Sequence, residues 1–496
     1  MDRIYVKNGK FVDELGRERM FSGVNMVDKR PFSTGEERFP TDFTDQLLDK
    51  LRERGVNLIR LGFTWGMVEP RPGQYNEPYL DSVVAAMDLL ASREIYVLLD
   101  IHQDLYSDFG TGWSGDGAPL WACLTDGHKP TPIRFIWDEK YWWDKSVHRS
   151  FDHFWENAPC EGKGLLEHYA AFWQHLARRF GDKPALFGFD LINEPYPGTD
   201  GGRIFRKLIG SLAKVSLTDG SISRKRLLGD LLQKNRRGQL LDQYDGEILS
   251  RIVRAAEPLV RRFDTERYMP FLNRISAAIR QVTDRGIIAI ENCYYSNMSI
   301  PCSAVPIEVS GRQEPQQCFS PHGYDIMVDS EAYVHASNDR ITAIFDEHRR
   351  TQQRLQLPVL VGEWGGIGDN DPRLLPHMKH ILGIFDSRGW SQTYWHFNDR
   401  FLDSPLMEAF SRPYPRAVCG EMQSWTRDEE TGSCLLTCRQ EEPCRERTVL
   451  FSPVRPVSVQ VDGQQAEVRW QKGELSLETA PGQHRIVLQY EGRKNP

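Results

Sequence analysis

At 496 residues with a formal net charge of −7, the chain is longer than one hydrophobic core usually organises, and it has no overall attraction for nucleic acid or anionic membranes. Hydrophobic residues at 40% and charged residues at 26% are those of a soluble globular protein, and no window nears the ~18 continuous apolar residues that a spanning helix needs. An aromatic share of 11%, including 13 tryptophans, leans toward surfaces on which a ligand such as a sugar stacks.

In chain order, the opening stretch MDRIYVKNGKFVDELGRERMF lacks a basic patch followed by an apolar run, so no secretory signal is visible. The compartment stays open between the cytoplasm and a secreted mature form. From about residue 18 to 410, β-rich runs alternate with helical patterns, the order of repeated βα units around a parallel sheet. Eight runs are predicted as strands, at 20–25, 57–63, 95–102, 186–193, 286–292, 318–322, 358–363 and 391–396, which gives an α/β fold with a (β/α)8 TIM barrel. Helices are predicted over 44–54, with Leu47, Leu48 and Leu51 at helical spacing, and over 165–180, with Leu166, Tyr169, Phe172 and Leu176 on one face. Gly55 and Gly181 follow them as stops.

Two stretches are too long for plain barrel loops. Residues 106–157 hold Trp113, Trp121, Trp137, Trp142, Trp143 and Trp155 and the glycine-rich run GTGWSGDGAP, which suits an irregular loop beside a ligand. Residues 201–242 read as amphipathic helices with the basic groups Arg224-Lys225-Arg226 and Arg236-Arg237. A solvated basic face is the first account of those charges, and contact with an anionic lipid headgroup the second. After about residue 420 short alternating segments with an Asp462-Gly463 turn predict an antiparallel β-sandwich. The expected division is therefore a barrel over 1–415 and an accessory sandwich over 416–496. Of nine cysteines, Cys419, Cys434, Cys438 and Cys444 cluster. Without a C-x-x-C pair or a nearby histidine they read as disulfides or plain thiols ahead of a zinc site.

The run LFGFDLINEP (186–195) ends an apolar strand in Asn193-Glu194, and PVLVGEWGG (358–366) repeats the design with Glu363. Two glutamates at strand mouths suit glycosidic bond cleavage, which needs one protonated and one charged carboxyl group on rigid elements. Other strand ends supply Arg60, His102, Asp104, His322, Tyr324 and Trp395. Arg60 is expected to hold Glu363 ionised, and Asn193 to donate to a sugar 2-hydroxyl. Glu194 is expected to stay protonated through desolvation beside a negative companion, Tyr324 to hydrogen-bond Glu363, and Trp395 to floor the sugar ring. Each residue alone is more ordinarily a salt bridge or a core side chain. The ordered set is the signal.

That set, over roughly residues 10 to 410, resembles glycoside hydrolase family 5, in the clan of retaining (β/α)8 glycosidases. GVNMVDK (23–29), DIHQDLYS (100–107), GDGAPLWA (115–122) and FDHFWEN (151–157) resemble its endoglycoceramidase and glucosylceramidase-related branch. The resemblance implies Glu194 as acid/base and Glu363 as nucleophile of a double displacement, and adds Lys29 and Asp104 as groups touching sugar hydroxyls. It implies a glycolipid or other hydrophobic β-glucoside as substrate, no metal or organic cofactor, and contact with a membrane or micelle surface. Steryl or aryl β-glucosides and a cellulase-like endoglucanase are the alternatives, and a non-catalytic carbohydrate-binding protein is the reading from another class.

Overall fold

The computed structural model describes residues 1–31, 35–110, 115–134, 136–232 and 239–491. Residues 111–114 of the GTGWSGDGAP run, Trp113 among them, and Arg236-Arg237 lie outside the described residues.

Eight parallel strands form the central sheet: β1 (Ser22–Val27), β2 (Leu58–Thr64), β3 (Tyr96–His102), β4 (Leu186–Asp190), β5 (Ile287–Ile290), β6 (Gln317–Phe319), β7 (Leu360–Val361) and β8 (Ser391–Tyr394). Each is buried along its length apart from the last residue of β1, which is why the sequence shows continuous apolar runs rather than alternation. The order around the sheet follows the chain from β1 to β6, with β8 on the other flank of β1 and β7 beyond it. A bridge between Phe319 and Val359 brings β6 against the start of β7, and pairing of His322 with Glu363 continues that seam beyond the strand ends. The sheet thereby closes into a barrel. Every predicted strand overlaps an observed one.

The predicted helices are present as α1 (Asp45–Glu53), capped by the Thr44 hydroxyl accepting from Leu47 N at 3.2 Å, and α2 (Leu165–Phe180). Gly55 follows α1 with φ 87°, a left-handed conformation glycine adopts without steric cost. The 201–242 insertion folds as α3 (Thr199–Thr218) and α4 (Arg224–Leu232), followed by α5 (Gly246–Val253). No helix among the described residues is long and apolar enough to cross a membrane.

The accessory unit is a pair of antiparallel sheets. One contains Glu421–Asp428, Ser433–Gln440, Gly482–Gln489, Ser458–Val461 and Gln464–Gln465. The other departs from the expected boundary, because its C-terminal strands Tyr414–Val418, Thr448–Phe451, Glu474–Leu477 and Arg469–Gln471 are joined by the N-terminal strands Ile4–Lys7, Lys10–Asp13 and Glu18–Arg19. Residues 4–19, assigned to the barrel by their position in the chain, thus belong to the sandwich by hydrogen bonding. Phe11 of that hairpin packs edge-on against Phe21 and Phe187, closing the barrel end opposite the strand C-termini. On the other side Arg412 and Arg427 both donate to the buried Asp386 carboxylate, fixing the sandwich to the helix Leu375–Arg388. All nine cysteines are free thiols. Cys434 and Cys438 are part of the sandwich core, and among the described residues no set of cysteines gathers as a metal site.

Candidate active site

Arg60 leaves the middle of β2 and is fully buried on the barrel axis. Its Nε donates to Asp190 at 2.8 Å, Nη1 to Asn25 at 3.1 Å and to Glu363 Oε1 at 2.7 Å, and Nη2 to Asn193 at 3.0 Å and Glu291 at 2.9 Å. Asp100 lies 3.0 Å from Nη2. Burial disfavours the charge of this guanidinium, but the surrounding carboxylates outweigh it and hold its pKa well above the usual value. One cation therefore orients side chains from five strand ends.

Glu363 follows β7, and each of its oxygens receives a donor: Arg60 on Oε1 and the Tyr324 hydroxyl on Oε2 at 2.8 Å. Gly362 beside it is required by packing, because a Cβ there would sit 2.7 Å from His322 Nε2. Glu194 is held differently. Both of its donors, Asn297 at 2.6 Å and His322 Nδ1 at 3.0 Å, fall on Oε1. Its backbone takes a left-handed φ of 43°, a strain of ~1–3 kcal/mol for a non-glycine residue. Two neighbours hold that conformation: the Glu194 N–H donates to Glu291 at 2.6 Å, and Gln103 Nε2 donates to the carbonyls of Asn193 and Glu194 at 2.8 and 3.2 Å. Burial, with the Glu363 charge adding to it and His322 opposing it, pushes the Glu194 carboxyl up to about 7. One oxygen each of Glu194 and Glu363 and a nitrogen of His322 lie within 4.8 Å of one another.

His322 stands between three carboxylates, 3.0 Å from Glu194, 3.3 Å from Glu291 and 3.7 Å from Glu363. Desolvation opposes its protonation, but Glu291 and Glu363 override it and raise the imidazole well above its usual value. Opposite, Lys29 ion-pairs with Asp104 and its ammonium lies 4.7 Å from the Trp395 ring centroid. His102 stacks on Trp395, with centroids 5.4 Å apart and planes 9° apart, and its Nδ1 is 2.8 Å from Asp100. Burial and the Lys29 charge both oppose protonation of His102, yet Asp100 and Asp104 push it up to about 10. Asp116, bridged to Asp104 through paired backbone hydrogen bonds of 2.9 and 3.1 Å, is pushed up to about 7 by burial despite Lys29. Among the described residues, three His/Asp/Glu groups are compact enough to hold a metal: His102–Asp104–Asp116, Glu194–His322–Glu363 and Asp100–Asp190–Glu291. Lys29 is paired into the first, the raised imidazole of His322 belongs to the second and Arg60 lies against the third, so a metal ion would compete with a protein cation at each.

These residues form one end of a cavity of about 960 Å³. Lys29, His102, Asp104, Asn193, Glu194, Tyr324, Glu363 and Trp395 all line it. Arg60 and His322 act from behind that wall. Much of the remaining lining is apolar, Trp142, Phe205, Leu208, Leu212, Leu249 and Ile252 standing for a wall contributed largely by α3 and α5, while Asp138, Asp325 and Asp329 also reach the cavity. Of the tryptophan-rich insertion, Trp137 and Trp142 reach the cavity. Trp121 and Trp155 are instead core residues, packed against Trp65 and Phe263.

Residues 18–401 match the sequence profile of the cellulase family, glycosyl hydrolase family 5. The chain belongs to glycosyl hydrolase family 5, and it is a glycoside hydrolase. It is 27% identical over 473 residues to endoglycoceramidase I of Rhodococcus hoagii, spanning 92% of this chain and 81% of that one. Among solved structures, endo-glycoceramidase II from Rhodococcus sp. superposes with a TM-score of 0.74 at 24% identity over 97% of this chain and 99% of that one. Sterylglucosidase 1 of Cryptococcus neoformans superposes with a TM-score of 0.70 at 17% identity over 99% of this chain and 97% of that one.

Four residues that sequence reasoning did not single out belong to this family member's site: Gln103, Asp116, Glu291 and Asn297. Glu291 had a visible signal, since β5 ends in Glu291-Asn292 just as β4 leads into Asn193-Glu194. Gln103 and Asp116 lie inside the motifs DIHQDLYS and GDGAPLWA. Asn297 sits in a short turn, Tyr294–Met298, with no periodic pattern to mark it.

Proposed function

We propose that this family 5 hydrolase cleaves the β-glycosidic bond between a sugar and a lipid aglycone by a retaining double displacement. The observation that carries the reading is the single cavity with carboxyl groups at one end and a long apolar wall at the other. Glu363 is assigned as nucleophile. It attacks the anomeric carbon while Glu194 donates its proton to the departing oxygen, and Glu194 then takes a proton from the water that releases the sugar. The approach of their oxygens to within 4.8 Å supports direct covalent attack, because an inverting pair stands about 6.5–9.5 Å apart to admit water. The neutral form of Glu194 is supported by its elevated pKa, and the positioning of Glu363 by Arg60 and Tyr324.

Lys29, His102, Asp104 and Asn193 are assigned to sugar hydroxyls and Trp395 to the apolar face of the ring. Asn193 commits one amide hydrogen to Gln103 O at 3.1 Å, which leaves the other to donate. The lipid end is supported by the relatives. Endo-glycoceramidase II from Rhodococcus sp. has been solved as a lactosyl-enzyme intermediate and as a ganglioside GM3 complex. Glycosphingolipid is therefore the first substrate class for this chain and steryl glucoside the second, drawn in either case from a membrane or micelle surface.

The test is incubation with glucosylceramide, lactosylceramide, steryl glucoside and cellotetraose, with the released sugar identified by mass. Release from a ceramide glycoside is expected, a monosaccharide marking exo action and an intact disaccharide endo action. Turnover of cellotetraose with none of any glycolipid would overturn the reading.

A further inference from the structure

The outer surface of α3 and α4 combines exposed apolar side chains with an excess of cations. Large apolar side chains stand in solvent there: Ile209 is 49% exposed, Leu217 61%, Leu228 57% and Leu232 73%. Trp143, 43% exposed, packs edge-on against Phe205 of α3. Residues 199–232 also carry seven Lys or Arg against three Asp, a local charge of +4 in a chain whose total is −7. Arg203 and Arg226 are paired, with Asp200 and Asp242. Arg206, Lys207, Lys214 and Lys225 are exposed and, among the described residues, join no ion pair. A solvated basic face accounts for these cations but not for the leucines beside them, since exposed apolar groups gathered with cations on helices are the pattern of an interfacial segment.

The two helices are tied together where the Arg224 guanidinium donates to the Leu217 carbonyl, and Leu227 and Leu212 pack on the same small core of Ile222, Tyr244, Ile248 and Ile252. The inner face of α3 continues into the cavity through Phe205, Leu208 and Leu212. Ile209 both lines the cavity and is half exposed, so it marks the mouth. An apolar chain leaving a bilayer at this surface would enter the cavity without crossing water.

We propose that α3 and α4 dock on an anionic phospholipid bilayer. Leu217, Leu228 and Leu232 enter the acyl boundary, the free cations meet lipid phosphates, and the aglycone passes into the cavity past Ile209. This rests on the lipid-aglycone reading above and adds to it the surface, its orientation and the sign of the lipid charge.

The experiment measures partition of the full chain onto vesicles of phosphatidylcholine alone and with about a third phosphatidylserine. It compares the unaltered protein with Lys207→Glu/Lys214→Glu/Lys225→Glu and with Leu217→Ser/Leu228→Ser/Leu232→Ser, all checked for folding by thermal unfolding. Hydrolysis of a soluble nitrophenyl glucoside, of glycolipid in those vesicles and of glycolipid in detergent is read in parallel. The unaltered protein is expected to favour anionic vesicles and to release them at high salt. The charge variant should lose at least about a hundredfold in partition, and the leucine variant at least about tenfold. Both variants should lose vesicle glycolipid turnover, with the soluble and detergent substrates unaffected. Equal partition of all three proteins, or no binding of the unaltered protein to anionic vesicles, would overturn the proposal while detergent activity stayed intact. Failure of the substrate reading is distinguished by absent glycolipid turnover in detergent as well.

Discussion

At the polar end of the cavity Arg60, Glu363 and Glu194 are each fixed by two or more hydrogen bonds. At the other end Leu208, Leu212 and Leu249, on α3 and α5, offer hydrocarbon alone. The contrast follows from the two tasks. Protonation and attack at an anomeric carbon need charges placed to within a fraction of an ångström, whereas an alkyl chain asks only for volume and the exclusion of water. Substitutions at the first end should therefore act on catalysis and those at the second on affinity for long-chain substrates.

The largest effect is expected from Glu363→Gln, which keeps the shape of the side chain and removes the charge. The account predicts a loss of at least about 10⁴-fold in kcat on every substrate, soluble or lipid, measured by sugar release. Arg60→Met should follow in severity. It leaves Asp100, Asp190, Glu291 and Glu363 facing one another without their shared cation, so unfolding free energy should fall by about 3–5 kcal/mol in denaturant titrations. Retention of full stability would mean that the network does not organise the site.

Glu194→Gln sharpens the contrast within the polar end. Glycolipid turnover should fall by about 10²–10⁴-fold, while formation of the glycosyl-enzyme from substrates with very good leaving groups persists, as pre-steady-state kinetics would report. The same residue sets a pH dependence. Its folded pKa near 7 lies above the ordinary carboxyl value of about 4.3, so the proton needed by the leaving group is present below pH 7 and lost above it. The alkaline limb of kcat/KM on glycolipid should fall near that pH, and the limb should vanish in Glu194→Gln. The linked stability term has the same sign, present at low pH and lost as pH rises through the folded value.

The smallest effect belongs to the apolar end. Leu212→Ser should raise KM for a long-chain glycolipid by about tenfold and leave kcat and the nitrophenyl glucoside untouched. An equal loss on both substrates would contradict the division of the cavity into a reacting and a holding part.

The polar end was largely legible in the chain because parallel strands buried on both faces write their ends as an abrupt change from apolar to polar residues. Asn193-Glu194 and Glu363 could be placed on that basis, whereas Arg60 lies inside β2 and not at its end. Glu291-Asn292 after β5 carries the same signature, but position along the chain does not say that Glu291 faces Arg60. The apolar end was not legible. The periodicity of α3 predicts an amphipathic helix, but one-dimensional spacing does not say whether Phe205, Leu208 and Leu212 face a core or an open cavity. Nor does it say that Ile4–Lys7 will pair into a sheet completed by residues past 413, since that register is set by contacts hundreds of residues apart.

Trapping the folded protein with a 2-fluoro-substituted glycoside carrying a very good leaving group tests the central claim most directly, with the modified peptide located by mass spectrometry. The account predicts a single sugar adduct on Glu363. An adduct on Glu194 or any other residue, or no adduct from a protein that turns over glycoside, would contradict it.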